Sequence, residues 1–190
     1  MWFTGGRCPE PGCEGQMEGS YDSGSVTFGY GTCDSRYTLS APPILAGAHD
    51  ADENPDVIRA FALTVIQKTA RGFCHLCSGP LESSVRGPSG AENDHIFIEH
   101  ECQECGAVSN TSALLQVFDH PAVVSAMYDA GVDYRRAFFK APSTEMDVTE
   151  RILDMDEPEL EVSIKTDEFE VTILLNEEFE VAEFDRIERA

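Results

Sequence analysis

The chain has 190 residues, 42% of them hydrophobic, and its 35 acidic and 13 basic residues give a formal net charge of −22 at pH 7. This hydrophobic fraction suffices for a packed core and excludes wholesale disorder, and the length predicts one domain or two small ones. Neither an apolar run of about 18 residues nor an apolar signal-peptide segment occurs, so we expect a soluble cytoplasmic protein without membrane contact.

The acidic excess restricts the partners that the sequence favours. Residues 145–190 hold 17 acidic and four basic residues, and the chain has only three lysines, Lys68, Lys140 and Lys165. A lysine-poor acidic surface is typical of halophilic proteins, in which salt screens self-repulsion; an ordinary acidic protein is the alternative. Duplex DNA binding requires a basic face, and no basic cluster exceeds Arg135-Arg136. DNA binding by this chain alone is therefore not expected.

Residues 1–47 are interpreted as a degenerate zinc-ribbon-like module. Two short β-like runs, residues 16–21 and 25–30, flank the turn sequence Asp22-Ser23-Gly24. The module carries three cysteines, Cys8, Cys13 and Cys33, and Arg36 stands where a fourth thiolate is expected. Asp34 and His49 are the nearest substitutes for the fourth ligand. Either three thiolates and a water bind a metal ion, or the ribbon folds without one.

Residues 48–72 form a linker and a helix, after a predicted loop at Pro42-Pro43. Asn54 is a suitable N-cap, Pro55 suits the first helical position, and Gly72 ends the helix. Apolar residues recur every three or four positions, at Ile58, Phe61, Ala62, Val65 and Ile66. We expect this helix to link the two cysteine modules.

Residues 73–112 are predicted to form a complete zinc ribbon. Cys74 and Cys77 form one Cys-x-x-Cys pair, and Cys102 and Cys105 form another after 24 intervening residues. Two such turns can direct four thiolates at one zinc ion in a closed, structural site. An iron–sulfur cluster is the alternative, whereas a disulfide framework is disfavoured without a secretion signal. Residues 95–100 are predicted as a strand and Ser83-Ser84 as part of a polar loop.

Residues 113–190 are predicted as a helix followed by an acidic antiparallel sheet. The helix spans about 120–130, between Pro121 and Gly131. From residue 158 onward apolar and charged residues alternate, and Thr166-Asp167 and Asn176-Glu177 mark turns, which indicates a three-stranded meander. The whole chain is thus predicted to be α+β, with two small ribbon modules linked by a helix.

No residue pattern indicates catalysis. The remaining histidines, His75, His95, His100 and His120, do not accompany a recognisable nucleophile, and we interpret them as core or surface residues. Phosphate-binding loops and nucleophile-elbow patterns do not occur. We therefore predict a non-enzymatic protein with no catalytic residues.

The order of these features resembles the C-terminal domain of haloarchaeal ArsR-like winged-helix transcriptional regulators. The segments "GFCHLCSGPLE" and "HECQECGA" are similar to its second zinc ribbon. "HPAVVSAMYDAGVD" and "ELEVSIKTDEFEVTILL" resemble its closing helix and sheet.

This resemblance implies a transcription regulator whose effector part senses a signal or mediates dimerisation. DNA would then be bound only through a winged helix, and we do not expect one in residues 1–190, since Met1 is seven residues before Cys8. The family tends to carry two Cys-x-x-Cys pairs in its first ribbon, from which the spacing of Cys8 and Cys13 departs. A stand-alone adaptor that binds a protein partner through its acidic sheet, and a thiol- or metal-responsive switch at Cys8, Cys13 and Cys33, remain alternatives. The expected partner is another protein or a second copy.

Overall fold

The computed structural model describes residues 2–7, 16–30, 36–48, 55–86, 96–132, 134, 147–154 and 157–189. Within these residues, helices and antiparallel sheets form the predicted α+β protein. Contacts divide the chain into two compact units, one of residues 1–64 and 132–144 and the other of residues 65–131 and 145–190. The division into segments 1–47, 48–72, 73–112 and 113–190 stays a prediction.

The first unit contains a four-stranded antiparallel sheet in chain order. Its strands are β1 (Trp2–Arg7), β2 (Gln16–Asp22), β3 (Ser25–Tyr30) and β4 (Arg36–Ser40). β2 and β3 confirm the two predicted β-like runs. The turn between them has positive φ at Ser23 (48°) and Gly24 (88°). Two successive positive φ angles are typical of the hairpin turn whose twist matches antiparallel strands.

A small apolar core belongs to this unit. Its buried members are Val26, Phe28, Ala41, Leu45, Ile58 and Ala62. The loop predicted at Pro42-Pro43 is wrong at its second residue, because Pro43 begins helix α1 (Pro43–Ala48). The fixed φ of proline suits a first helical turn, and this turn brings Leu45 into the core.

Helix α2 (Pro55–Ala70) begins at the predicted proline, while its predicted cap, Asn54, lies outside the described residues. Its apolar stripe is buried except at Phe61, which is partly buried, and Gly72 (φ 77°) donates its N–H to Thr69 O (2.9 Å) just after the last turn. Both observations confirm the sequence prediction. The boundary between the units falls inside α2, so residues up to Thr64 belong to the first unit. No helix of the described segments is long and apolar enough to cross a membrane.

The second unit contains a three-stranded antiparallel sheet around the Cys-x-x-Cys pairs. Its strands, in spatial order, are β5 (Leu81–Arg86), β6 (Phe97–Cys102) and β7 (Val108–Ser112). β6 covers most of the predicted strand 95–100; His95 lies outside the described residues. The loop predicted at Ser83-Ser84 is wrong, because both serines lie in β5. The ladder between β5 and β6 uses only backbone groups, so serines can occupy it.

A four-stranded antiparallel sheet follows, in the order β11-β10-β9-β8. Its strands are β8 (Asp147–Asp154), β9 (Glu159–Lys165), β10 (Phe169–Leu175) and β11 (Val181–Glu188). The predicted meander is confirmed in β9 to β11 but wrong in its number of strands. The sequence does not predict β8 because its apolar–polar alternation is interrupted at Glu150. This residue is paired with buried Val162, so an apolar residue would be expected at its position.

Two helices precede this sheet in the chain, α3 (Ala113–Val117) and α4 (Pro121–Asp129). α4 confirms the predicted helix, with Pro121 at its start and Gly131 (φ 71°) just after its end. α3 contacts β8 and β9, and α4 contacts β10. The core of this unit includes buried residues of β9, β10 and α4, among them Leu160, Val162, Ile164, Phe169, Val171, Ile173, Leu175, Val123, Ala126 and Met127.

Candidate metal centre

The first Cys-x-x-Cys pair lies in a tight turn between α2 and β5. Cys74 N–H donates to Gly79 O (2.8 Å), and Ser78 N–H donates to Cys74 O (2.9 Å). Ser78 has a φ of 66°, a left-handed conformation that reverses the chain directly after Cys77. This turn places both thiols on one side of the backbone.

The second pair forms an equivalent turn between β6 and β7. Cys102 N–H donates to Ala107 O (2.9 Å), and Gly106 N–H donates to Cys102 O (3.0 Å). Gly106 has a φ of 69°, close to the value at Ser78. The two turns therefore share one hydrogen-bonding pattern, and in each a small residue, Ser78 or Gly106, occupies the left-handed position.

The two turns bring the four sulfur atoms together. All four Sγ atoms lie within 4.8 Å of one another. Cys77 Sγ is 3.4 Å from Cys102 Sγ, and Cys74 Sγ is 3.8 Å from Cys105 Sγ. Zinc–sulfur bonds of about 2.3 Å in a tetrahedron separate the sulfurs by about 3.8 Å, so the cluster has the dimensions of a tetrathiolate site. Cys74 and Cys102 are buried, whereas Cys77 and Cys105 are exposed.

Direct contacts hold the two turns against each other. Gln103 N–H in the second turn donates to Pro80 O after the first (3.1 Å). A β-carbon built on Gly79 would lie 3.3 Å from Cys102 Sγ and 2.7 Å from Glu104 Cγ. The backbone of one turn thus packs on the side chains of the other, which fixes the relative position of the cysteine pairs.

Backbone N–H groups favour the thiolate form of particular sulfurs. The N–H of Cys105 donates to Cys102 Sγ and, against the opposing effect of burial, lowers the pKa of this thiol to about 6. At Cys105 the N–H of Ala107 also lowers the pKa of the thiol. Hydrogen bonding with Cys77 and Cys102 outweighs this effect and raises the pKa of Cys105 to about 12. A divalent cation would stabilise all four thiolates together.

Two side chains beside the cluster are not ligands. Lys68 of α2 donates from Nζ to Ser78 Oγ (2.8 Å) and so braces the first turn. Burial, and then the charge of Lys68, lowers the pKa of His75, which keeps this imidazole neutral at pH 7. The sequence gives no signal for Lys68 because the contact joins residues ten positions apart in different elements.

The structure does not show whether the cysteines of the first module, residues 1–47, lie close together. Cys8, Cys13 and Cys33, and the substitutes Asp34 and His49, lie outside the described residues. Metal binding in this module stays a prediction.

A second polar cluster surrounds His100 on β6. His100 is buried, and its Nδ1 lies 2.8 Å from Ser83 Oγ. Its Nε2 lies 2.8 Å from Thr111 Oγ1 and 3.0 Å from Gln116 Nε2. Burial lowers the pKa of His100 to about 4, so it is neutral at pH 7. Both ring nitrogens have partners in the protein. His100 is therefore a core histidine, one of the two roles that the sequence analysis predicts for it. His120 caps α4 by accepting from Ala122 N–H (3.3 Å).

The fold and site define an α+β protein with a tetracysteine cluster that could hold a metal ion such as zinc. The chain belongs to a domain family of unknown function, DUF7351, whose family model matches residues 5–181. Searches of curated proteins and of solved structures gave no match.

Proposed function

We propose that Cys74, Cys77, Cys102 and Cys105 bind one structural Zn²⁺ and that the chain is a non-enzymatic regulatory domain. The observation that carries the proposal is the position of all four Sγ atoms within 4.8 Å, presented by two turns with the same hydrogen bonds. Thiolates are soft ligands that suit zinc, and four of them leave no open coordination position for a substrate. Such a site stabilises the fold.

The regulatory part of the proposal rests on the sequence resemblance to the effector domain of ArsR-like regulators. With a net charge of −22, the chain would act on another protein or a second copy, and DNA would be reached only through a winged helix elsewhere. Free thiols persist in a reducing compartment, which favours the cytoplasm. Cys8, Cys13 and Cys33 are retained as a weaker candidate for a second metal.

Elemental analysis of the purified full chain tests the metal centre. We expect one zinc per chain, retained in Cys33→Ser and lost in Cys102→Ser. A second zinc that disappears in Cys33→Ser would assign metal to the first module as well. Iron in place of zinc would indicate an iron–sulfur cluster, and protein without bound metal would contradict the proposal.

Cobalt substitution tests the ligand set without relying on stability. Co²⁺ bound by four thiolates gives intense sulfur-to-cobalt charge-transfer absorption and the visible bands of a tetrahedral ion. We expect this spectrum in the full chain and in Cys33→Ser. A spectrum of an octahedral ion would exclude tetrathiolate binding.

A mobility-shift assay with duplex DNA, at low salt and then at molar salt, tests the claim about nucleic acid. We expect no shift by this chain alone. Specific binding to one duplex would contradict the view that DNA contact requires another domain.

A further inference from the structure

The outer edge of β11 carries backbone groups that a further strand could use. β11 is the terminal strand of its sheet, and in the described part of the chain no strand pairs with its outer side. Arg189 N–H donates to Glu168 O (2.8 Å), across the ladder to β10. In an antiparallel strand, alternate residues direct their N–H and C=O groups to the same neighbour. The backbone groups of Phe184, Arg186 and Glu188 therefore point away from β10.

Helix α4 lies beside this edge. The register places Phe184 opposite Ile173 and Arg186 opposite Val171, on the buried face of the sheet. On that face the ring of Phe184 contacts His120 at the start of α4, with 5.1 Å between ring centroids. Arg186 donates to Ser125 Oγ (3.1 Å) and forms an ion pair with Asp129. On this face α4 thus packs directly against side chains of the edge strand.

The side chains along this edge combine exposed apolar and acidic groups. Phe184 and Ile187 are each 54% exposed. Glu183 and Asp185 are also exposed, and the register puts them with Ile187 on the opposite face from Phe184. Side chains of a strand paired with this edge would lie close to Glu183 and Asp185, so their charge would change the stability of the pairing.

The charge of the protein selects the kind of strand that fits. A second copy would bring a further net charge of −22 to the same place. Like charges that face each other across a strand pair are destabilising, whereas opposite charges are stabilising. Charge complementarity therefore favours a basic occupant over a second copy.

We propose that β11 binds an extended basic segment of a protein partner as a fifth strand of this sheet. On the α4 side, apolar residues of the segment pack beside Phe184. On the other face, alternating lysine or arginine residues pair with Glu183 and Asp185. Strand addition supplies affinity through main-chain hydrogen bonds and specificity through alternate side chains. The site is independent of the candidate metal centre, which lies in the turns between α2 and β5 and between β6 and β7.

The test uses the full, metal-loaded chain and a capped nine-residue peptide of alternating valine and lysine. We expect binding that protects the amides of Phe184, Arg186 and Glu188 from hydrogen exchange. Two matched peptides serve as controls, one with glutamate in place of lysine and one with a central proline. Both should bind at least about tenfold more weakly, because charge or ladder bonds are lost.

Matched variants locate the site. Glu183→Lys with Asp185→Lys should weaken binding of the valine–lysine peptide about tenfold. Glu157→Lys with Glu159→Lys makes the same change in net charge at the β8–β9 turn and should leave affinity within about twofold. Equal weakening by both pairs, unprotected edge amides, or equal binding of the glutamate peptide would overturn the proposal. Edge amides already protected in the protein alone, together with a dimer in sedimentation, would assign the edge to a second copy instead.

Discussion

Gly79 lies so close to Glu104 that a β-carbon on the glycine would be only 2.7 Å from Glu104 Cγ and 2.9 Å from Glu104 Cβ. Carbon atoms in contact are normally about 3.5–4.0 Å apart. The added methyl group in Gly79→Ala must therefore push the two cysteine turns apart. We expect zinc affinity to fall about tenfold, since overpacking typically costs about 1–3 kcal/mol. Competition with a chromophoric chelator measures the change.

Gly131→Ala is the control for that substitution. Position 131 also favours glycine, because its φ is 71°. A β-carbon there would nevertheless meet no atom of a neighbouring segment within 4 Å. The substitution should cost about 1–2 kcal/mol of stability through backbone strain and leave zinc affinity unchanged. If both alanine variants weaken zinc equally, the close approach of the two turns does not determine affinity.

Glu150 on β8 holds two other elements through its carboxylate. Its Oε2 accepts from Ile96 N–H (2.9 Å) and its Oε1 from Leu114 N–H (2.8 Å) in the first turn of α3. Ser112, the residue before α3, makes no side-chain cap, so Glu150 supplies the acceptor. We expect Glu150→Ala to lower the free energy of unfolding by about 2 kcal/mol and Glu150→Gln by less, because the amide keeps one oxygen. Urea denaturation of the zinc-loaded chain measures both.

Exposed Glu157 provides the comparison for Glu150. Glu157→Ala removes an equal charge and should change the free energy of unfolding by less than about 0.5 kcal/mol. Equal stability of the Glu150→Gln variant and the unmodified chain would show that the second carboxylate oxygen contributes nothing.

The elements that the sequence predicts correctly are those whose pattern of residues lies within a short segment of the chain. The cysteine pairs are recognisable from spacing alone, α2 and α4 from their prolines, glycines and apolar stripes, and β9 and β10 from the alternation of apolar and polar residues. The α+β class follows from these elements together. Ser78 and Gly106 also carry a local signal, since a tight turn after each pair requires a residue that accepts positive φ.

The features that the sequence does not predict depend on contacts between distant residues. Glu150 interrupts the apolar pattern of β8 because it binds backbone groups 36 and 54 positions away. His100 is buried only because Ser83, Thr111 and Gln116 supply its partners from three other elements. The requirement for Gly79 appears only when the second turn is placed against the first. None of these can be read from a short window of sequence.

His100 gives the unit a predictable response to acid. Burial lowers its pKa from 6.5 to about 4, so between these values the unfolded chain binds a proton that the folded chain does not. Stability from this residue is complete above about pH 6.5 and is lost as the pH falls toward 4, at up to about 1.4 kcal/mol per pH unit. His100→Gln should therefore be less stable at pH 7 but should lose less stability between pH 7 and 5. Both chains contain the same cysteines, so the difference between their pH profiles isolates His100, and parallel profiles would contradict its assignment.

Glu82 and Glu101 stand directly opposite each other on β5 and β6, and both are exposed. Like charges across an antiparallel pair are destabilising, so Glu82→Lys should raise the free energy of unfolding by up to about 1 kcal/mol at low salt. The gain should shrink at about 1 M KCl, where the screening length is only about 3 Å. Glu157→Lys makes the same change to the net charge of −22 away from this pair and should give a smaller gain. Urea denaturation of both variants at the two salt concentrations distinguishes the cross-strand pair from net charge, because an equal gain in both would leave the pair without an effect of its own.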